Sequence, residues 1–217
     1  MKTYTKQSEE ARLVIEHDGD AESPRANDNI GHFFTKEDRH KSPDGNVHPL
    51  YQIMVETADD AKDTANHIEL MRAQAHKMFK ESAPKDGNSH DEDLHVIEIH
   101  PIYRYEHGNV SYKRGTRKDW DASNCGFYFI TAQSISGETH TAESIAKLID
   151  AELIAKLIDA ELEEYTQWCN GEVYAFTLYD ENGVEEESCG GFYAIEDIRE
   201  HLPEEWAKEK LEDYIKN

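Results

Sequence analysis

Cysteine is scarce in this chain: three residues in 217, Cys125, Cys169 and Cys189, with no CxxC pair. An odd count without an export signal argues against a disulfide-stapled secreted scaffold and predicts reduced thiols in a cytoplasm. Each thiol reads first as a small buried hydrophobe. Long apolar runs are also missing. No stretch approaches the roughly 18–20 residues that span a bilayer. The N-terminal MKTYTKQSEEARLVIEHDGD lacks the apolar centre of a secretory leader. Basic charge is short as well, with 23 Lys and Arg against 46 Asp and Glu, a formal charge of −23. Nucleic-acid backbones and anionic lipid repel such a chain, so the expectation is no direct nucleic-acid partner and no membrane. The sequence contains no GxSxG, no HExxH, no P-loop and no dinucleotide-binding glycine fingerprint. No catalytic residue, cofactor or metal is predicted.

What is present suffices for a core. Hydrophobic residues make up 37% and aromatics 10%, in a length that suits one large domain. The charge is uneven. Residues 137–217 hold 22 acidic and 6 basic side chains, a net of −16, whereas residues 1–136 hold 24 and 17, a net of −7. The chain is therefore divided into an α+β part, 1–136, and an acidic helix-hairpin-helix part, 137–217, read together as one continuous domain.

Residues 11–15 begin strand-like, 16–29 read as a polar loop, and 30–34 form a short apolar patch. HPLYQIMVET at 48–57 reads as a strand, running into an amphipathic helix over 58–82. The polar segment 83–93 is predicted to be a mobile loop. Strands follow at 94–105, near 110–112 and at 125–133. A long helix is expected from about 141 to 168. Glu181-Asn182-Gly183, between two strand-like runs, marks a hairpin over 172–189. Two short helices close the chain, the second started by Pro203. Strands and helices do not alternate, so the predicted fold is α+β with a mostly antiparallel sheet.

The long helix carries a perfect repeat: IAKLIDAEL at 145–153 and again at 154–162. At ~100° per residue, a nine-residue shift ends half a turn out of phase. Ile154, Leu157, Ile158, Tyr165 and Trp168 then fall on one broad face, and Ile145, Leu148 and Ile149 on the other. The second face needs a cover: this chain, a second copy in a homodimer, or another protein.

Other clusters are weaker. His95 and His100 are five apart on one strand and point to opposite faces. His90, Asp91, Asp93 and His95 are closer to a metal set but sit at a loop. His17, Asp18, Asp20 and Glu22 begin like a calcium loop without its glycine and closing glutamate. Cys189 has no identifiable histidine base.

Three stretches carry a resemblance: SPRANDNIG at 23–31, PIYRYEHG at 101–108, and GEVY…SCGGFY between 171 and 193. They resemble a widespread group of uncharacterised bacteriophage and mobile-element proteins. This chain departs from the group at Gly190, where a tryptophan is usual, and in its nine-residue repeat. The resemblance implies a phage or mobile-element origin and no activity; with the reduced thiols, the expected location is the host cell cytoplasm. Its shared positions form either turns and core or a ligand pocket at Arg25, Asp28, Trp120, Asp121 and Cys189.

The leading expectation is a phage accessory protein that inhibits a host defence or DNA-processing system by binding a basic protein surface, in the manner of a nucleic-acid mimic. The contact residues expected are Glu163, Glu164, Asp180, Glu181, Glu185, Glu186 and Glu187, with Ile145, Leu148 and Ile149. The alternatives are a small metal- or nucleotide-binding enzyme and a scaffold that assembles through the duplicated helix.

Overall fold

The computed structural model describes residues 6–7, 11–36, 41–82, 94–135, 151–208 and 210–211. The protein is α+β, and every described strand pair is antiparallel. The strands form two four-stranded sheets. The chain divides into two compact units, residues 27–163 and residues 1–26 with 164–217. This division by packing and the division by charge at residue 137 cut the chain differently.

The larger unit holds strands β3 (His32–Thr35), β4 (Val96–His107), β5 (Asn109–Arg114) and β6 (Ala122–Thr131), in the order β3-β6-β4-β5. Alternation along β6 sends Phe127 and Phe129 to one face and Tyr128 and Ile130 to the other. On the first face, Phe34, Ile99, Phe127 and Phe129 pack with Leu50, Ile53, Met54, Met71 and Ala75. Those partners come from helices α1 (Pro49–Glu56) and α2 (Thr64–Glu81). At Gly126 a Cβ would lie 1.9 Å from the carbonyl oxygen of Phe34, so β3 and β6 meet there only because no side chain intervenes.

Helix α1 corrects the strand expected over 48–57. Tyr51, Ile53 and Val55 suit a strand, but the start of the segment is built for a helix. Pro49 occupies the first turn, where no N–H is needed. The His48 side chain accepts a hydrogen bond from the Leu50 N–H at 3.1 Å. Leu50, Ile53 and Met54, at helical spacing, are then buried together. Helix α2 starts later than expected, at Thr64, because Asp63 caps it by accepting from the Asn66 N–H at 2.8 Å. The loop expected at 83–93 lies outside the described residues. A single helical turn, α3 (Ala132–Ile135), follows β6.

Helix α4 (Ala151–Cys169) covers the second part of the segment expected to be helical from about 141 to 168; 141–150 lie outside the described residues. The unit boundary falls inside it, between Glu163 and Glu164. Ile154, Ile158, Leu162 and Tyr165 are buried. Leu157, expected on that stripe, is 41% exposed, and Leu153 is 52% exposed. Three residues after Ile154, Leu157 is rotated ~60° back, while the buried set advances to the opposite side. Glu161 fastens α4 to the second face of the sheet, accepting from the Ile30 N–H at 2.7 Å and from the Tyr128 hydroxyl. Arg114 on β5 grips Asp159 with two hydrogen bonds of 2.8 Å.

The smaller unit joins the chain's two ends. Strands β1 (Lys6–Gln7), β2 (Ala11–His17), β7 (Tyr174–Asp180) and β8 (Glu185–Phe192) lie in the order β1-β2-β7-β8. Leu13, Ile15, Phe176, Leu178 and Phe192 cluster with Ile198, Leu202, Trp206 and Leu211. Two short helices, α5 (Ile195–Arg199) and α6 (Glu204–Ala207), bring in Ile198 and Trp206. Pro203 is the N-cap of α6 rather than its first helical residue.

Candidate functional site

The hairpin of the smaller unit gathers the densest acidic stretch. Its turn is built by Asp180. One carboxylate oxygen accepts from the backbone N–H groups of Asn182 at 2.9 Å and Val184 at 2.7 Å. Gly183, at φ 78°, completes the reversal. The Val184 N–H, then the Asn182 side chain, hold the Asp180 carboxyl below its ordinary range. Asp180 therefore serves the turn. Glu181 is exposed beside it.

β8 is the edge of its sheet and, among the described strands, pairs with β7 alone. Every residue from Glu185 to Gly191 is exposed. Glu185 stands opposite Tyr179 and Glu187 opposite Leu178, which leaves Glu186 as the extra residue of a bulge. A second irregularity sits opposite Ala175. There the Gly191 N–H donates to an Asp18 carboxylate oxygen at 2.9 Å. A Cβ at Gly190 would lie 2.4 Å from that same oxygen, so a side chain here would have to displace Asp18. Asp18 also accepts from the Asp20 N–H at 3.1 Å. This carboxylate of the suspected calcium cluster is thus occupied within the fold.

Glu163 and Glu164 are exposed on α4. Burial, and then the charge of Glu164, push the Tyr193 hydroxyl above its ordinary value. Ile145, Leu148 and Ile149 lie outside the described residues. Arg25 sits in a single 3-10 turn, Pro24–Ala26, where its N–H donates to Ser23 Oγ at 3.3 Å. Asp28 is exposed. Trp120 is 98% exposed beside Asp121, whose carbonyl accepts from the Glu106 N–H at 2.9 Å. Cys189 is exposed, as is Cys169, while Cys125 is buried. Arg25 and Cys189 belong to one unit, and Asp28, Trp120 and Asp121 to the other. None of the five lines either cavity described next.

The larger unit has a cavity of about 220 Å³ between α1, α2 and β6, lined by Lys36, Asp63, His67, Asn124, Cys125 and Phe127 among others. A smaller one, about 90 Å³, lies between Arg72, His76, Phe79 and His95. His67 is half-buried. Its Nε2 sits 3.0 Å from the Met54 carbonyl and 3.1 Å from Thr57 Oγ1, and its ring meets Phe127 edge-on at 4.9 Å. Burial, opposed by the Met54 hydrogen bond and helped by the Lys36 charge, lowers the His67 pKa. Sequence reading had no route to this set, which comes from four separate segments. Among the described residues, no group of three or more His, Cys, Asp and Glu could hold a metal ion. His90, Asp91 and Asp93 lie outside them. No described helix is long and apolar enough to cross a membrane. Comparison with protein-family models, with curated proteins and with solved structures finds no significant match.

Proposed function

We propose that the protein binds a basic protein surface through the β8 edge, and that its partner is a host defence or nucleic-acid-handling protein blocked by an array of carboxylates. The reading rests on one observation: Glu185, Glu186 and Glu187 stand in an exposed edge strand, not in a tail. The unit around them holds 21 acidic and 8 basic residues, a net of −13. An edge strand offers unpaired N–H and C=O groups to an extended segment, and carboxylates select a basic one. The phage setting implied by the resemblance supplies the class of partner. Affinity capture from host lysate tests it. The captured partner is released by high salt and lost with Glu185→Lys, Glu186→Lys and Glu187→Lys together. Retention at 0.5 M salt, on the order of a 4 Å screening length, or retention by the charge-reversed protein, overturns the reading.

A further inference from the structure

The cavity beside His67 is a second candidate site, independent of the acidic edge. Its polar groups are poised in a definite way. Thr57 Oγ1 donates its hydrogen to the Ile53 carbonyl at 2.7 Å. The oxygen near His67 Nε2 is therefore an acceptor, and so is the Met54 carbonyl. Nε2 must carry the ring proton, which leaves Nδ1 as an acceptor. Among the described residues no hydrogen bond uses it. Asn124 is oriented in the same manner. Its Oδ1 accepts from the Arg117 N–H at 3.0 Å, which leaves its amide hydrogens, among the described residues, as donors. Lys36 is held next to β6 by its own N–H, which donates to the Cys125 carbonyl at 2.9 Å. Among the described residues its ammonium has no ion-pair partner. Asp63 spends one carboxylate oxygen on the Asn66 N–H and keeps the other.

These groups define a ligand. A cation and an amide donor suit a carboxylate. The imidazole nitrogen and the spare Asp63 oxygen suit a hydroxyl or ammonium. Met54, Pro101 and Phe127 supply apolar wall for a short hydrocarbon body. The volume, about 220 Å³, falls below the roughly 300–1,000 Å³ of pockets that hold drug-sized ligands. We infer that the cavity between α1, α2 and β6 binds a small hydroxy or amino carboxylic acid, with Lys36 and Asn124 on the carboxylate and His67 on the donor group.

The test uses the full chain and calorimetry against a fixed panel: lactate, propionate, acetate and the standard amino acids. At least one hydroxy or amino acid is expected to bind saturably. Lactate is expected to exceed propionate, which lacks the hydroxyl. Lys36→Met, an exposed change that leaves the core intact, is expected to weaken the bound acid about tenfold, equivalent to ~1.4 kcal/mol. Asn124→Leu is expected to act in the same direction, and Lys41→Met, away from the cavity, to change nothing. The assignment is overturned if no panel member binds saturably. It is also overturned if propionate matches lactate while no amino acid binds, or if neither Lys36→Met nor Asn124→Leu weakens binding. Capture of a basic partner at β8 reads out separately, so either proposal can fail alone.

Discussion

The two sheets have equal strand numbers and opposite surroundings. In the larger unit, β6 is buried from Cys125 to Thr131, with α1 and α2 over one face and α4 tied to the other. In the smaller unit, β2 and β7 bury alternate residues only, against helices of five and four residues. On the far face of that sheet Arg12 lies over the Tyr179 ring at 4.1 Å. Charge follows the same division. The smaller unit carries −13 in 80 residues, and the larger −10 in 137. Self-repulsion per residue is thus greater in the smaller unit.

The sharpest way to break this contrast is to cut each core. Phe129→Ala removes a fully buried ring from the two-sided sheet and should cost ~3–5 kcal/mol in urea unfolding. Leu13→Ala, in the sheet of the smaller unit, should cost about 2–3 kcal/mol, the low end for such truncations, because its surroundings can collapse more readily. A larger loss for Leu13→Ala would reverse the ranking of the two units. Glu161→Ala comes next. It removes the acceptor of the Ile30 N–H and of the Tyr128 hydroxyl, for about 1–3 kcal/mol. Glu163→Ala, two residues on and exposed, should stay within about 0.5 kcal/mol. Arg114→Ala should cost about 1 kcal/mol or less, since Asp159 is half exposed and water screens the pair.

The sequence was legible where contacts are local. The meander β4-β5-β6 and the Asn182-Gly183 hairpin join neighbours in the chain, so alternation and turn chemistry reveal them. Two kinds of feature stayed hidden. In 48–57, strand-favouring side chains masked a helix whose signals were one proline and one histidine cap. Long-range pairing was the other. Nothing local sets residues 11–17 against 174–180, or sends Asp18 to the Gly191 N–H. The glutamates of β8 were visible as charge, but their place on an edge strand depends on that pairing. The cavity at His67 was invisible for the same reason, because Lys36, His67 and Asn124 meet only once β3, α2 and β6 are assembled.

The smallest effect bears on the hairpin and separates turn-forming carboxylates from surface ones. Asp180 has its folded pKa depressed, chiefly by the Val184 N–H. A depressed carboxyl stabilises the fold above its unfolded value, roughly 3.9, and loses that contribution as pH falls through the lower folded value. Amide exchange at Asn182 and Val184 should therefore accelerate only in that acid window. Asp180→Asn should remove the pH step while keeping the oxygen that accepts from both N–H groups. Replacing Glu185, Glu186 and Glu187 with glutamine should leave the step in place, since none of them accepts from the turn's backbone. If the triple glutamine variant abolished the step and Asp180→Asn did not, the turn would be held by the charged edge rather than by Asp180. The contrast between a structural carboxylate and a binding surface would then fail at its most local point.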